Sequence, residues 1–238
     1  MTNNINIFYL NEIYLMNIPS NIILTWKNNN VPAHVIEKWR ELNPNYNVLF
    51  FTDEDIMIFL EMNYGLDYAV FFSKIPFGRY KSDFFRLCYL YKNGGCYVDI
   101  DIEPLLPIDE ILNKNDNITL LSVLSLGEGH IFQAILFSEP NNVVIKMCIE
   151  SMLFYGSNIG IDPKDEYPFT GHPTKCMYDN ISIFLNGNVK EGLNSFKDNR
   201  IILGKETFIH DRIVTIFPGN KHFAYSRYTN YNRDYGFF

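Results

Sequence analysis

Lys92-Asn93-Gly94-Gly95-Cys96-Tyr97-Val98-Asp99-Ile100-Asp101-Ile102-Glu103-Pro104 carries the strongest signal in this 238-residue chain. A helix is expected to stop at the glycine pair, because glycine accepts the left-handed backbone that closes a helix. A short apolar strand, Cys96 to Val98, follows and ends in the carboxylates Asp99 and Asp101. In an extended chain alternate residues face the same way, about 7 Å apart, so both carboxylates can point at one object. They repel each other unless something positive sits between them. Oxygen-only ligands suit hard ions such as Mg²⁺ or Mn²⁺, which keep positions open for substrate phosphates. These features point to a metal–diphosphate site at the end of a sheet strand. Two blander readings compete with it. Asp-x-Asp alone is most often a solvated turn. A calcium loop starting at Asp99 would place Asp101, Glu103 and Glu110 at positions three, five and twelve. Pro104 then takes the sixth position, where glycine is needed, and a strand-like run stands where a flanking helix belongs.

Upstream, the spacing predicts a helix from Arg79 to Asn93 with an apolar face through Tyr80, Phe84, Leu87, Cys88 and Tyr91. Asp83 and Arg86 are neighbours on its surface, three residues apart. A simple ion pair is the ordinary reading of such a pair, but the helix leads straight into the Asp-bearing strand. Further upstream, Asn21 to Trp26 reads as a buried strand and Asn47 to Phe51 as a second. Between them a helix opens at Pro32 and ends at Asn43-Pro44. Thr52 caps another helix, with Asp53, Glu54 and Asp55 in its first turn. Such alternation predicts an α/β domain with a largely parallel sheet. Ile5 to Met16 reads as an edge strand or an extra arm. Downstream, Ile108 to Leu112 reads as one helical turn and Ile118 to Leu126 as a strand, with Ile131 to Phe137 ambiguous. Helices follow from about Asn141 to Tyr155 and from about Pro173 to Leu185. Asn186 to Asn199 reads as an exposed polar segment, and Ile201 to Leu203 and Ile213 to Phe217 as short strands.

Composition narrows the function. A 47% hydrophobic chain can bury a real core, and a net charge of -7 with no long basic run argues against nucleic-acid binding. Cys88, Cys96, Cys148 and Cys176 form no C-x-x-C pair and have no histidine at zinc spacing, so they read as reduced core residues of an intracellular protein. Neither a signal peptide nor a transmembrane segment is expected, which predicts a soluble, cytoplasmic protein. No repeat or linker divides the chain, so one domain over 1–238 is expected.

Set in order, these pieces resemble the DXD-motif glycosyltransferases of family 32, which include yeast initiating mannosyltransferases and capsular polysaccharide glycosyltransferases; the large clostridial glucosylating toxins are more distant. The resemblance runs through Ile22-Ile23 to Thr25-Trp26-Lys27; Trp39 with Asn43-Pro44-Asn45-Tyr46; Phe51-Thr52-Asp53-Glu54-Asp55; Ser82-Asp83-Phe84-Phe85-Arg86; and Leu90 to Pro104. It covers roughly Ile18 to Asp109 and is thinner beyond, at Phe132, Ser138-Glu139-Pro140-Asn141 and Thr170-Gly171. It implies a GT-A fold, Rossmann-like, with a mixed, mostly parallel central sheet. Residues 18–109 would form the donor and metal half, and 110–238 the acceptor half and tail. It implies a retaining, metal-dependent hexosyltransferase that uses Mn²⁺ (or Mg²⁺) and a nucleotide-sugar donor, UDP-sugar favoured and GDP-mannose possible, with a glycan or other hydroxyl acceptor. By resemblance Asp101 would bind the metal and Asp99 would reach the ribose and the metal's water shell. Tyr97 would lie close to the donor, Asp83 and Arg86 would contact the donor sugar, and Trp26 would stack near the base. Relatives carry tryptophan motifs near the C-terminus; this chain has no Trp after Trp39, its nearest equivalents are Ser226, Tyr228, Asn230 and Asn232, and His222 upstream of them would be the further metal ligand. A non-catalytic nucleotide-sugar-binding protein is the alternative. A glycoside hydrolase would instead need facing carboxylates across the sugar.

Overall fold

The computed structural model describes residues 18–31, 33–113, 116–159, 173–210 and 212–226. The expected strand at 5–16, the helix-opening Pro32, the turn at Thr170-Gly171-His172 and the tail beyond Ser226 lie outside these residues.

Hydrophobic alternation builds the first half. Strand β1 (Asn21–Thr25) sends Ile22 and Leu24 to one face and Ile23 to the other, the two-residue period of a strand buried on both sides. Helix α1 (Ala33–Leu42) lies under the first face and buries Trp39, whose indole donates to the Ile102 carbonyl at 3.1 Å. Strand β2 (Asn47–Phe51) leads into α2 (Asp53–Tyr64), which opens with a capping box. The Thr52 hydroxyl accepts from Asp55 N, and Thr52 N donates back to the Asp55 carboxylate at 2.9 Å. Gly65, at φ +93°, breaks the chain into a further helix, α3 (Leu66–Lys74), which the sequence pattern did not distinguish.

Helix α4 (Gly78–Asn93) is the central helix, with Tyr80 and every residue from Asp83 to Leu90 buried. It ends at Gly94 as expected, and the chain enters β3 (Gly95–Val98). Strand β4 (Ile102–Pro104) and a single 3₁₀ turn (Ile108–Glu110) follow, then β5 (Leu120–Leu124), β6 (Ile135–Ser138), α5 (Val143–Ile159) and α6 (Pro173–Phe184). Strands β7 (Gly192–Phe196), β8 (Asn199–Ile209), β9 (Arg212–Phe217) and β10 (Lys221–Ser226) complete the described chain. The segment expected to be exposed and polar therefore contains β7, paired with the long β8.

All ten strands join one sheet, ordered β2-β1-β3-β6-β5-β8-β9-β10-β4, with β7 alongside β8. The α/β class and the mixed sheet are as expected. Parallel pairing is confined to β2-β1-β3 and β5-β8, and the other six pairings are antiparallel. Parallel strands thus form a smaller share than the strand–helix alternation suggested, because β6 and the β8–β9–β10 meander return without crossover helices. Two apolar clusters cover the sheet. One packs α2 to α6 on one face; the other packs α1, Ile102 and Phe223 on the opposite face. Among the described residues no helix is long and apolar enough to cross a membrane.

Candidate functional site

The parallel strands β1, β2 and β3 end at the same edge, as the pairings Thr25↔Phe51 and Ile23↔Tyr97 require. Ligands of open α/β sheets bind outside such carboxyl ends. A cavity of about 690 Å³ lies there, and its wall includes Thr25, Trp26, Ser82, Arg86, Asp99 and Asp101.

Tyr97 faces α4, because its neighbours Cys96 and Val98 pack into the opposite cluster. Its hydroxyl donates to Asp99 Oδ1 at 2.8 Å and lies 3.0 Å from Thr25 Oγ1, which is itself 3.3 Å from Ser82 Oγ. Arg86 Nη2 donates to the same Asp99 Oδ1 at 2.9 Å, and the guanidinium carbon stands 4.5 Å from the Tyr97 ring centre. Arg86 Nη1 lies 3.3 Å from Asp83 Oδ1, and Nε donates to Ser82 O at 3.2 Å. The guanidinium is therefore gripped by two carboxylates, a carbonyl and a ring face. Burial opposes its charge, but Asp99, Tyr97 and Asp83 outweigh burial and push its pKa further up. Burial raises the Asp83 carboxyl to about 6, against the pull of Arg86. Burial likewise pushes the Tyr97 phenol up, and Asp99 adds to it, so that hydroxyl keeps its proton and remains a donor.

Asp99 and Asp101 do share the cavity wall, but not by strand alternation. Strand β3 stops at Val98; Ile102 N bonds back to Asp99 O at 3.0 Å, and the two carboxylates lie on a turn. Asp99 N is tied to Ala134 O at 2.9 Å. The positive charge that the pair demands is supplied in part by Arg86. Arg86 and Tyr97 both donate to Asp99 Oδ1, and the Asp99 side chain, 30% exposed, lines the cavity.

The other expected site residues divide. Trp26 lines the cavity. Asp83 is buried against Arg86 and forms no part of the cavity wall; its contact with the wall is Arg86. Tyr97 is likewise buried, and its hydroxyl reaches the wall at Asp99. His222 is not brought to the aspartates. Strand β10 runs antiparallel to β4 with Ser226↔Ile102 and Ala224↔Pro104, which puts Ser226 beside the turn and His222 at the far end, four residues back. Among the described residues no group of three or more His, Cys, Asp or Glu could hold a metal. Two hard carboxylates fit part of a Mg²⁺ or Mn²⁺ shell, the remainder of which such ions take from phosphate and water. Thr25 and Ser82 were legible only as pieces of a motif, without roles. Gln133 gave no signal at all: it sits between the cavity-lining Phe132 and Ala134, with both amide polar atoms buried and without a hydrogen-bond partner.

Residues 30–118 match the family described as the glycosyltransferase sugar-binding region containing the DXD motif. The chain is 36% identical over 103 residues to inositol phosphoceramide mannosyltransferase 1 of Schizosaccharomyces pombe, a match taking in 41% of this chain and 32% of that protein. It is 31% identical over 109 residues to the initiation-specific alpha-1,6-mannosyltransferase of Candida albicans, over 42% of this chain and 28% of that one. The matched part thus spans about a third of the length of these curated relatives. Among solved structures, PaToxG glycosyltransferase is similar at a TM-score of 0.48 and 15% identity, over 72% of this chain and 71% of that chain. That likeness is too distant to bear on function.

Proposed function

We propose, from the premise that residues 30–118 form a DXD-bearing sugar-binding region of glycosyltransferase type, that this protein is a metal-dependent, retaining glycosyltransferase. It moves a hexose from a nucleotide-sugar donor to a hydroxyl of a glycan or similar acceptor. The observation that carries this reading is the convergence of Asp99, Asp101 and Arg86 in one cavity at the carboxyl ends of three parallel strands. A hydrolase pair would face each other across the sugar, whereas these two carboxylates share one turn.

Asp101 and Asp99 would hold a Mn²⁺ or Mg²⁺ ion. Such an ion, when bound, supplies positive charge to the donor diphosphate. Arg86 contributes fixed positive charge beside the departing diphosphate. Tyr97 and Arg86 hold Asp99 in one orientation, and Asp83 holds Arg86. Trp26 offers an aromatic face to the base. In the transfer, the bond from the anomeric carbon to the phosphate oxygen breaks with its electron pair going to the diphosphate. The acceptor oxygen forms the new bond, and its proton passes to a leaving phosphate oxygen. No side chain is assigned as nucleophile, so catalysis rests on charge and positioning. A sheet that runs unbroken from β2 to β4, with strands drawn from Asn21 to Ser226, supports the reading of a single domain.

The test is binding and slow hydrolysis of a panel of UDP- and GDP-sugars, with Mn²⁺ and with chelator, by wild type and Asp101→Ala. One donor bound and hydrolysed only with metal, with both lost in the variant, is expected. Binding of a donor without turnover on any added acceptor would mark a non-catalytic binding protein, and no binding under any metal condition would overturn the site.

A further inference from the structure

The strand pairings carry the sheet round a ring. From β3 the order β6-β5-β8-β9-β10-β4 returns to the segment that directly follows the DXD turn. Phe208 pairs with Ile213, Ile213 with Ser226, and Ser226 with Ile102, one row across β8, β9, β10 and β4 that ends beside Asp101. Alternation along each strand puts this row on the face that carries Ile102, Ile202, Phe217 and Ala224. Phe132, in the cavity wall, packs against the same cluster. Because β6 runs antiparallel to both β3 and β5, and β8 runs parallel to β5, the ends of β5 and β8 lie at the edge that bears the DXD turn. Phe208 therefore stands on that rim, three strand spacings or about 14 Å from the turn. The far end of the cavity is walled by α2, α4 and the ends of β1 and β2, which leaves the ring side for an acceptor.

A scattered surface hydrophobic is ordinary. Among the described residues, however, the large exposed hydrophobics otherwise lie on α2, α3, α5, α6 and β7, and only Leu126, 45% exposed, and Phe208, 63% exposed, stand at this edge. The support beneath them is also unusual. Glu206 is 9% exposed, a costly burial for a carboxylate, and accepts from Ser125 Oγ at 2.9 Å and from Leu126 N at 3.2 Å. It precedes Phe208 by two residues on the same face of β8. A buried carboxylate thus fixes the turn that carries Leu126 beside the strand that carries Phe208. An exposed phenyl ring takes the apolar face of a pyranose, whose axial C–H groups meet the negative face of the π-system. Two side chains offer too little area to hold an alkyl chain, since apolar binding scales with the area covered. The distance from Asp101 places the ring beyond the sugar that receives the new bond. We propose that Phe208, with Leu126 beside it, is an acceptor subsite that stacks a sugar residue behind the one being glycosylated, so that the acceptor is a disaccharide or longer. The inference rests on the transferase reading above and names an acceptor class for it.

The experiment titrates the full chain, by ligand-observed NMR with Mg²⁺ and UDP or GDP present, with matched sugars: mannose and mannobiose, glucose and maltose, galactose and lactose. Octyl glucoside serves as the alkyl control. Wild type, Phe208→Ser and Phe208→Trp are compared, and thermal melting checks each fold. At least one disaccharide is expected to bind about tenfold tighter than its monosaccharide. Phe208→Ser brings it down to the monosaccharide level, and Phe208→Trp keeps the advantage. Equal binding within every pair, no binding of any saccharide, or an advantage that survives in Phe208→Ser overturns the proposal. If the variants fail to fold, equal binding within every pair by wild type still overturns it. Octyl glucoside bound as tightly as the best disaccharide, and lost in Phe208→Ser, assigns the rim to an apolar chain and overturns it too. Metal-dependent binding of a nucleotide-sugar while every saccharide fails removes this subsite and leaves the transferase reading standing. A Phe208-dependent disaccharide site in a protein that binds no nucleotide-sugar under any metal condition removes the transferase reading, and the acceptor role with it.

Discussion

Arg86 and Asp99 are joined by a 2.9 Å hydrogen bond from Nη2 to Oδ1, and through it the central helix fixes the orientation of the first aspartate of the DXD turn. The guanidinium is only 3% exposed and touches Asp83, Ser82 O and the Tyr97 ring as well. Its shape is used as much as its charge. A planar fork can meet two carboxylates and lie on a ring at once, which an ammonium cannot.

Arg86→Lys should therefore behave as a loss rather than a conservative change. The expected cost is about 1–3 kcal/mol of stability, from carboxylates left part-paired in a buried place. Metal-dependent donor binding should weaken at least tenfold. Melting curves and donor titrations of the same samples would show both effects, and full binding in Arg86→Lys would deny Arg86 its role.

Tyr97→Phe removes one hydroxyl and keeps the buried ring. Asp99 Oδ1 then loses its 2.8 Å partner, while Thr25 keeps Ser82 as a neighbour. Stability should fall by only about 1 kcal/mol. Donor turnover should fall about tenfold with a smaller change in donor affinity, since the orientation of Asp99 is what loosens. Equal turnover in mutant and wild type would show that Arg86 alone positions Asp99.

His222→Ala should leave metal-dependent donor binding within twofold of wild type. The register Ser226↔Ile102 puts His222 at the opposite end of β10 from the turn. A Mn²⁺ titration followed by donor binding decides this; a large loss of metal affinity would mean that His222 reaches the site.

Gly94→Ala should destabilise strongly. The residue has φ +65°, and an added Cβ would lie 2.7 Å from Pro19 Cδ and 2.8 Å from Pro140 Cδ. Overpacking combined with left-handed backbone is expected to cost about 2–4 kcal/mol, read as a shift of the urea midpoint at unchanged slope.

Glu139 links stability to pH. Burial raises its carboxyl to about 7, and its buried Oε2 has no hydrogen-bond partner among the described residues, as is also true of the Arg200 Nε on the other side of Thr119. A folded pKa above the unfolded value means that the fold is favoured while the group is protonated, and that this contribution is lost as pH rises from about 4.5 through about 7. Glu139→Gln stays neutral throughout. It should match wild type near pH 4.5 and exceed it by about 1–3 kcal/mol at pH 8. Denaturant melts at the two pH values test this; an unchanged difference between them would mean that Glu139 does not titrate in this range.

Much of the donor half was legible in the residues alone. Asn21 to Trp26 read as a buried strand, Thr52 marked the start of α2, and Gly94-Gly95 ended α4 at the expected place. The pairing of Asp83 with Arg86 followed from helical spacing. These are local matters, decided by period, capping and backbone freedom within a few residues.

What the tertiary structure decided depends on partners far along the chain. Asp99 and Asp101 lie on a turn rather than a strand because Ile102 N bonds back to Asp99 O while β4 pairs with β10, more than a hundred residues away. The same pairing removed His222 from the site. Asp83 fell behind Arg86, and Lys81 and Asp53 met in the cavity wall, through the packing of α4 against the sheet and α2. A dipeptide pattern specifies how a segment can bend and which face it buries. Which strand end meets which helix, and so which of several identical carboxylates faces the ligand, is settled only by long-range contacts.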